Sequence, residues 1–326
     1  MMVAITTRDL ATTHSTHFVY RSKCPVCSSD KKRLLAESSY TTGPIFEYLK
    51  KYYTEKGAFE PEYLEGAVYK VVECEECGLI YQEYIPDNEL LSRVYSVWLD
   101  PKAAAQRNIK ALGSNAAQYV REQWLLRYWA KGKRLHVLDY GMGHGRWCET
   151  AAAFGHKVDG FEYEDARNEN ARRRELFDVV SYDDIARKQY DFINTEQVFE
   201  HLSDPLETIK HLVRGLKSGG MIRLSVPSGR LIKNSLSSEH GYNFSKRARA
   251  GLYPIVPLQH LNCFAGESLV KIATIVGLKQ YRFSLVQMIA SQQDWRTPKQ
   301  TSVNILKPIY VRLRYDDGVM KYFVKP

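Results

Sequence analysis

Four of the six cysteines form two pairs with the same spacing, Cys24 with Cys27 and Cys74 with Cys77. Two residues between thiolates let one tight turn direct both sulfurs at a single ion, and two such turns complete the four-thiolate shell that zinc prefers. The 46 residues between the pairs exceed the usual spacing, so the segment must be an insertion that packs on the turns. Disulfides or a redox motif are the alternatives. A four-thiolate shell leaves no open position, so we expect structural Zn²⁺.

A glycine-rich segment follows the apolar run 135–138. It begins with Asp139 and has glycines at alternate positions, namely Gly141, Gly143 and Gly145. Such glycines let the backbone approach a ligand at the carboxyl edge of a sheet, beside a helix N-terminus. Arg146 stands where a dinucleotide fingerprint has its third glycine, which disfavours a nicotinamide cofactor. Glu162 ends the next strand, where a carboxylate can accept both hydroxyls of a ribose; a structural turn and a surface acid are the alternative.

The elements that must position these residues follow from the period of the apolar residues. From Arg134 onward, short apolar runs alternate with helical segments, which is typical of a parallel sheet wound with helices. The stretch 102–130 is predicted to be helical, with an apolar face made of Trp124, Leu125, Tyr128 and Trp129. Near the end, the runs 309–315 and 319–324 flank Asp316-Asp317-Gly318, which predicts a β-hairpin.

Taken together, several segments resemble the motifs of class I S-adenosylmethionine-dependent methyltransferases. They are 139–145, Glu162, 190–205 (YDFINTEQVFEHLSDP), 216–220 and 260–264. The front of the chain resembles a subgroup of these enzymes that has an N-terminal Cys-x-x-Cys and then a segment like VECEECGLIY. The resemblance implies an α/β, Rossmann-like fold with a mostly parallel seven-stranded sheet, preceded by a small zinc-binding α+β domain. It also implies S-adenosyl-L-methionine as the cofactor.

The same resemblance assigns ten residues to the cofactor. The glycine loop would surround the methionine part, Glu162 would meet the ribose, and the third strand would be followed by the residues at the adenine edge. Two residues of the fourth strand would lie under the sulfonium. The cofactor-binding set is Asp139, Gly141, Gly143, Gly145, Glu162, Tyr163, Tyr182, Asp183, Asn194 and Thr195.

Methyl transfer needs an aligned acceptor and, when that acceptor is oxygen or carbon, a base that works near pH 7. The candidates are His201, after the fourth strand, and His260, before the last helix; a local structural role is the alternative for each. Some related enzymes bind a divalent metal through Glu-x-x-Glu-His and a later histidine. Glu200, His201 and His260 match three of those positions, and Gln197 replaces the fourth. A second, catalytic metal therefore stays open.

The charge indicates which acceptor to expect. The chain carries 46 Lys and Arg against 37 Asp and Glu, a net +9, but residues 1–100 hold 11 basic against 15 acidic residues. An acidic zinc half, and no Asn-Pro-Pro-Tyr-like segment after the fourth strand, disfavour an RNA methyltransferase. That enzyme and a non-catalytic cofactor-binding scaffold are the alternatives. We expect a small, hydroxylated, anionic acceptor, such as a nucleotide-linked sugar, polysaccharide precursor or natural product. It would meet the basic residues Arg230, Lys233, Lys246, Arg247 and Arg249.

The expected organisation has five parts. They are a flexible tail (1–20), a zinc-binding domain (21–100), a helical connector (101–133), a methyltransferase domain (134–290) with an acceptor-lid insertion (228–258), and a C-terminal β-hairpin extension (291–326). No apolar run approaches the ~18 residues of a membrane span, and the Thr-rich start does not resemble a signal peptide. We therefore expect a cytoplasmic protein without membrane insertion. Cys148 and Cys263 are expected to be buried as small hydrophobic residues.

Overall fold

The computed structural model describes residues 17–99, 116–173, 175–229, 232–236, 253–292, 296–314 and 320–326. The chain forms two compact units, each made of two stretches of sequence. We call them the cysteine unit, Met1–Arg107 with Leu231–Asn262, and the sheet unit, Asn108–Arg230 with Cys263–Pro326. In the cysteine unit, the described residues 232–236 and 253–258 belong to the segment 228–258, which the sequence assigns to the methyltransferase domain.

Two small sheets lie in the described part of the cysteine unit. Their strands are β1 (Phe18–Tyr20), β2 (Lys32–Ser39), β3 (Val68–Cys74), β4 (Ile80–Gln82), β5 (Tyr84–Pro86) and β11 (Asn262–Cys263), which begins in this unit. One sheet has the order β11-β4-β3-β2, and β1 pairs antiparallel with β5 in the other. The described helices of this unit are α1 (Gly43–Thr54), α2 (Asn88–Arg93) and α8 (Ile232–Leu236). A π-helical stretch follows α2 at Val94–Trp98, and 3₁₀ turns lie at Pro61–Leu64 and Tyr253–Ile255.

Local sequence signals explain helices α1 and α2. Helix α1 buries Ile45, Leu49 and Tyr53, four residues apart, as the aromatic spacing of 44–53 predicts. Helix α2 is capped by Asp87, whose carboxylate accepts a hydrogen bond from the Leu90 N–H at 2.8 Å.

The prediction of a flexible tail over residues 1–20 is wrong for its last residues, because Phe18–Tyr20 forms a strand that pairs with β5. Residues 1–16 lie outside the described residues.

A seven-stranded, mostly parallel sheet forms the centre of the sheet unit, which confirms the expected fold class. Its strands are β6 (His136–Tyr140), β7 (Lys157–Phe161), β8 (Asp178–Val179), β9 (Tyr190–Glu196), β10 (Leu216–Ser225), β12 (Lys279–Tyr281) and β13 (Met320–Val324). Their order is β12-β13-β10-β9-β6-β7-β8, and only β13 runs antiparallel to its neighbours. The carboxyl ends of β6, β7 and β9 therefore share one edge of the sheet.

Helices cover this sheet. They are α3 (Ala116–Trp129), α4 (Arg146–Ala153), α5 (Asp165–Arg172), α6 (Tyr182–Ile185), α7 (Pro205–Gly215), α9 (Gly266–Ile275), α10 (Leu285–Ala290) and α11 (Pro298–Arg314). The core contains Val137, Phe192 and Met221 from neighbouring strands and Trp147 from α4. None of the helices in the described part of the chain is both long and apolar enough to cross a membrane.

The predicted C-terminal β-hairpin is wrong. Residues 309–314 continue α11, which contains Pro308, and the turn 316–318 lies outside the described residues. Strand β13 instead lies between β10 and β12 and pairs with both. Its backbone therefore forms hydrogen bonds along both edges, whereas a hairpin would provide a partner along one edge only. Tyr322 and Phe323 are buried there. Tertiary pairing therefore overrides the local turn signal.

Helix α3 packs two of its four predicted apolar residues, Leu125 and Trp129, against the core, but its most deeply buried residues are others. Its buried residues are Glu122, Gln123 and Leu126, whereas Tyr128 is exposed. A polar side chain is stable in such a position when it finds a partner inside the protein. The partner of Glu122, described below, explains why this helix turns a carboxylate inward.

Candidate functional site

The glycine loop joins β6 to α4 at the shared carboxyl edge. Gly141 and Gly145 have φ angles of +79° and +74°, and an added Cβ would lie 2.5 Å from a Val198 methyl carbon or from the Phe177 ring, respectively. Both positions therefore require glycine for conformation and for space. The loop is held to the next strand because the N–H groups of Gly141 and Met142 both donate to the Phe161 carbonyl, at 2.8 and 2.9 Å.

Glu162 closes this edge from β7. Its carboxylate accepts hydrogen bonds from the Gly143 N–H at 2.9 Å and from the Tyr163 N–H at 2.8 Å. Arg167 lies 3.6 Å from the same carboxylate. The structure thus brings together the glycine loop and the acid that the sequence predicts as the ribose ligand, although 19 residues separate Gly143 from Glu162.

Asp139 is fully buried and lies at the start of a chain of side-chain hydrogen bonds. The Asn194 amide donates to its carboxylate at 2.8 Å, and the Arg223 guanidinium donates to the Asn194 oxygen at 2.6 Å. Burial raises the pKa of Asp139 to about 7, although the Asn194 hydrogen bond opposes the rise. Cys148 is buried against the same carboxylate, with its sulfur 3.5 Å from an oxygen. Asp139 therefore holds the β6 terminus to β9 and α4.

Arg223 and Glu122 extend this network and were not predicted from the sequence. Arg223 is only 1% exposed, and its guanidinium lies 2.9 Å from the Glu122 carboxylate of α3. The indole N–H of Trp147 donates to the other Glu122 oxygen at 3.1 Å. Burial raises the pKa of Glu122, and the charge of Arg223 opposes that shift. The sequence feature that could have indicated this pair is the arginine inside the apolar run of β10, since a buried charge requires a buried partner.

Aromatic side chains line the predicted adenine side. The hydroxyls of Tyr140 and Tyr163 are 2.5 Å apart, and the rings of Tyr163 and Tyr182 both pack on Phe161. Tyr163 remains 60% exposed, so one side of its ring is available to a ligand. Tyr182 begins α6 and stacks on His211 with ring centroids 3.9 Å apart. Asp183 follows it and is exposed.

The side chains of Asn194 and Thr195, the two residues expected under the sulfonium, form hydrogen bonds within the sheet. Asn194 bonds Asp139, and the Thr195 hydroxyl donates to the Arg223 carbonyl at 3.0 Å. Both are buried. Any contact that they make with a cofactor would therefore come from their backbone.

The two candidate bases lie in different units. His201 follows β9 in the sheet unit, 34% exposed, with its ring nitrogen 3.9 Å from the carboxylate of Glu200. Glu200 is buried, burial raises its pKa to about 8, and its oxygens have no hydrogen-bond partner among the described residues. His260 belongs to the cysteine unit, where it is 5% exposed and meets the Tyr253 ring edge to face.

The four paired cysteines converge in the cysteine unit. The sulfurs of Cys24 and Cys77 are 3.6 Å apart, those of Cys27 and Cys74 are 3.5 Å apart, and all four lie within 4.8 Å of one another. A tetrahedron with metal–sulfur bonds of about 2.3 Å requires sulfurs about 3.8 Å apart. The four residues therefore fit a zinc ion, and all six cysteines are free of disulfides.

The two cysteine turns have the same construction. The Ser28 N–H donates to the Cys24 carbonyl at 2.9 Å, and the Gly78 N–H donates to the Cys74 carbonyl at 3.0 Å. The hydrogen bond with Cys77 lowers the pKa of Cys24 to about 5 and raises that of Cys77, while burial raises the pKa of Cys27 to about 11. Without a metal, the crowded thiols therefore do not all ionise together. Cys148 and Cys263 lie elsewhere and are buried, as predicted.

The chain is similar to known methyltransferases. Residues 113–281 match the family model described as a methyltransferase domain. A ubiquinone biosynthesis O-methyltransferase of Coxiella burnetii is 28% identical over 137 residues, which are 39% of this chain and 56% of that protein. The one from Saccharophagus degradans is 32% identical over 99 residues, or 27% of this chain and 42% of that protein. The chain thus spans about half the length of these curated relatives.

Solved structures were also compared. The plantazolicin methyltransferase BpumL in complex with SAH has a TM-score of 0.47 and 14% identity, covering 72% of this chain and 93% of its own. A putative sarcosine dimethylglycine methyltransferase from Galdieria sulphuraria has a TM-score of 0.36 and 18% identity, covering 63% of this chain and 86% of its own.

Proposed function

This chain belongs to the methyltransferase domain family, within the class I S-adenosylmethionine-dependent enzymes, and on that premise we propose its reaction. It transfers a methyl group from S-adenosyl-L-methionine to a hydroxyl group of a small anionic acceptor. Nucleotide-linked sugars, polysaccharide precursors and natural products are the acceptor classes that we favour. The curated relatives are named O-methyltransferases, which supports oxygen as the atom methylated.

The contact between Glu162 and the glycine loop carries this proposal. The Gly143 N–H binds the Glu162 carboxylate at 2.9 Å, so the loop and the strand-end acid lie side by side where this family binds its cofactor. Tyr163 and Tyr182 provide exposed or half-buried aromatic surface beside them. The arrangement suits a ligand with a charged amino acid end, a ribose diol and a purine.

The chemistry asks little of the protein beyond alignment and removal of a proton. When bound, the cofactor supplies an activated methyl group on a sulfonium. The buried hydrogen-bonded chain from Asp139 through Asn194 to Arg223 fixes the strand ends beside which the cofactor would bind. His201 or His260 takes the acceptor proton, since an imidazole titrates near neutral pH. The four cysteines would hold a structural zinc ion, because four thiolates leave no open position.

The experiment that tests this proposal detects methyl transfer directly. The protein is incubated with methyl-labelled S-adenosylmethionine and a small-molecule cell extract, and mass spectrometry searches for acceptors that gain one methyl group. The Gly143→Arg variant is the control, because a long side chain at φ +55° blocks the loop. Equal labelling by the two proteins would contradict the proposal.

Each candidate base is tested separately once a methylated acceptor has been found. His201→Gln and His260→Gln remove the base and retain a polar side chain. For the true base we expect turnover to fall roughly 10²–10⁴-fold while S-adenosylhomocysteine affinity stays unchanged. If neither substitution lowers turnover tenfold, histidine is not the base.

A second, catalytic metal at Glu200, His201 and His260, which the sequence leaves open, is tested separately. It would orient acceptor hydroxyls, and Gln197 would be its weakest ligand. Turnover is measured after treatment with a chelator, while the zinc content is followed. Full turnover after removal of every metal except zinc would contradict it.

We also place the protein in the cytoplasm. Six unbridged cysteines, four of them arranged for a metal, suit a compartment that keeps thiols reduced. Fractionation of cells that produce a tagged protein tests this placement, and a periplasmic or secreted pool would contradict it.

A further inference from the structure

The segment 253–262 is part of the cysteine unit, although the sequence assigns it to the methyltransferase domain (134–290). It opens with the 3₁₀ turn Tyr253–Ile255, contains His260, and ends where β11 begins. An internal turn bond runs from the His260 N–H to the Val256 carbonyl at 3.0 Å. We call this segment the histidine segment.

Gln82, the last residue of β4, binds the histidine segment at two points. Its side-chain amide donates to the Val256 carbonyl at 3.0 Å and to the His260 carbonyl at 2.8 Å. The amide oxygen accepts a hydrogen bond from the Tyr40 hydroxyl at 3.2 Å. Gln82 is completely buried, so both amide protons and the oxygen find their partners inside the protein.

Three other groups of the cysteine unit hold the same segment. Arg21 donates to the Leu261 carbonyl at 2.8 Å and to the Asn262 side chain at 2.9 Å. Its guanidinium also donates to the Gln82 carbonyl, at 2.6 and 3.0 Å. The Tyr69 hydroxyl donates to the Ile255 carbonyl at 2.5 Å, and the Gln82 N–H donates to the Leu261 carbonyl at 3.0 Å. We call Arg21, Tyr69 and Gln82 the clamp.

The clamp residues are close in sequence to the zinc ligands. Arg21 stands three residues before Cys24, and Gln82 stands five residues after Cys77. Tyr69 lies on β3, the strand that ends with Cys74. β3 and β4 pair directly, with Val72 opposite Tyr81. The ion that joins the two cysteine turns would therefore fix the register of the strands that present the clamp.

We propose that the zinc-bearing sheet is the device that positions His260, with Arg21, Tyr69 and Gln82 as positioning residues. This rests on the proposed function, in which His260 is a candidate base. On this proposal, loss of the ion would release the histidine segment and lower turnover of the acceptor. Cofactor binding by the sheet unit would be unaffected. The clamp binds backbone carbonyls and the Asn262 side chain, so it fixes the course of the segment that carries the His260 imidazole.

The first test measures amide hydrogen exchange in the histidine segment of the full chain saturated with S-adenosylhomocysteine. Gln82→Glu replaces a double donor with a carboxylate that faces two carbonyl oxygens, and Tyr69→Phe removes one donor without burying a charge. Gln280→Glu makes the same charge change at an exposed position of β12 and is the control. We expect exchange of the 255–262 amides to rise about tenfold or more in both clamp variants, and not in the control.

Zinc removal by a chelator should raise exchange of the same amides, with S-adenosylhomocysteine affinity within about twofold of the untreated protein by calorimetry. If the amides stay protected in Tyr69→Phe and after chelation, the clamp does not hold the segment. Tyr69→Phe keeps the proposal testable even if Gln82→Glu fails to fold. These readouts require no acceptor, so they judge the clamp whether or not methyl transfer is found.

The second test asks whether the clamp acts through His260. With the acceptor found by labelling, turnover is compared for Tyr69→Phe, His260→Gln and the double variant, with both substrates saturating. We expect the double variant to be no slower than His260→Gln, because a positioning residue has nothing left to position. If the fold-loss of turnover in the double variant equals the product of the losses in the two single variants, Tyr69 does not act through His260.

Discussion

At the scale of single residues, Glu162 is the side chain that we propose as the ligand of the cofactor ribose. Glu162→Ala removes the acceptor of the Gly143 N–H and the predicted ligand of the ribose diol. Loss of charge-assisted hydrogen bonds of this kind costs about 1.5–3 kcal/mol, so S-adenosylhomocysteine should bind roughly ten- to a hundredfold more weakly, with zinc content unchanged. Calorimetry measures the affinity. Glu164→Ala, which removes a carboxylate paired with Arg167, is the control; equal losses in the two variants would contradict the assignment.

Asp159 makes stability depend on pH at the same scale. Burial acts to raise its pKa, but hydrogen bonds from His136, Lys188 and Tyr190 outweigh burial and lower it. Because the pKa is lower in the folded state, this stabilisation is present above the unfolded pKa of about 3.9 and is lost as the pH falls through the folded value.

The variant Asp159→Asn should therefore be less stable than the wild type at pH 7, and the difference should shrink as the pH falls below about 4. Urea unfolding at a series of pH values measures both effects. Asp178→Asn, at an exposed position of β8, controls for the change in net charge. A stability difference that does not vary between pH 7 and pH 3 would show that Asp159 does not contribute through its charge.

At the scale of elements, the pair of Arg223 and Glu122 joins β10 to α3. Arg223→Met leaves the Glu122 carboxylate buried without its charged partner, and breaking a buried pair from one side costs about 3–5 kcal/mol. Replacing both residues, as Arg223→Met with Glu122→Leu, removes both buried charges and should recover much of that loss. Denaturant unfolding of the single and double variants measures the recovery. If the double variant is less stable than either single variant, the attraction between the two charges contributes more to the free energy of unfolding than their desolvation costs.

The elements also show what the sequence could predict. The glycine loop, Glu162 and the strands beside them were predictable because local spacing determines them: Gly141 and Gly145 need positive φ, and apolar runs mark β6 and β9. The cap at Asp87 was predictable for the same reason. In each case the signal and the structure lie within a few residues of one another.

Other features depend on partners that are distant in the chain. The run 309–314 became helix, and β13 joined the main sheet, because β10 and β12 offered it pairing on both sides. The inward face of α3 followed from Arg223, about 100 residues later. Lys233, predicted to meet a phosphate of the acceptor, pairs with Glu73 of β3. The other basic residues assigned to that role, Arg230, Lys246, Arg247 and Arg249, lie outside the described residues.

At the scale of the whole molecule, the chain forms two compact units, and we expect each to respond to a different ligand. The cysteine unit holds the four thiols, and the sheet unit holds the glycine loop with Glu162. A ligand stabilises the unit that binds it by about 2.7 kcal/mol at a hundredfold excess over its Kd. Thermal unfolding of the intact protein should therefore show two transitions. S-adenosylhomocysteine should raise the midpoint of one, and removal of zinc should lower the midpoint of the other.

The variant Cys74→Ser separates these responses, because it removes one zinc ligand and leaves every residue of the sheet unit in place. Metal binding and folding are coupled in such sites, so we expect its zinc-dependent transition to fall or disappear and part of the protein to become insoluble. The S-adenosylhomocysteine shift should persist in the soluble fraction, since the ligand's binding energy is supplied by the loop and Glu162. Differential scanning calorimetry records both transitions. A single transition that both ligands move by the same amount would mean that the two units unfold as one cooperative body, and that loss of zinc also weakens the cofactor site.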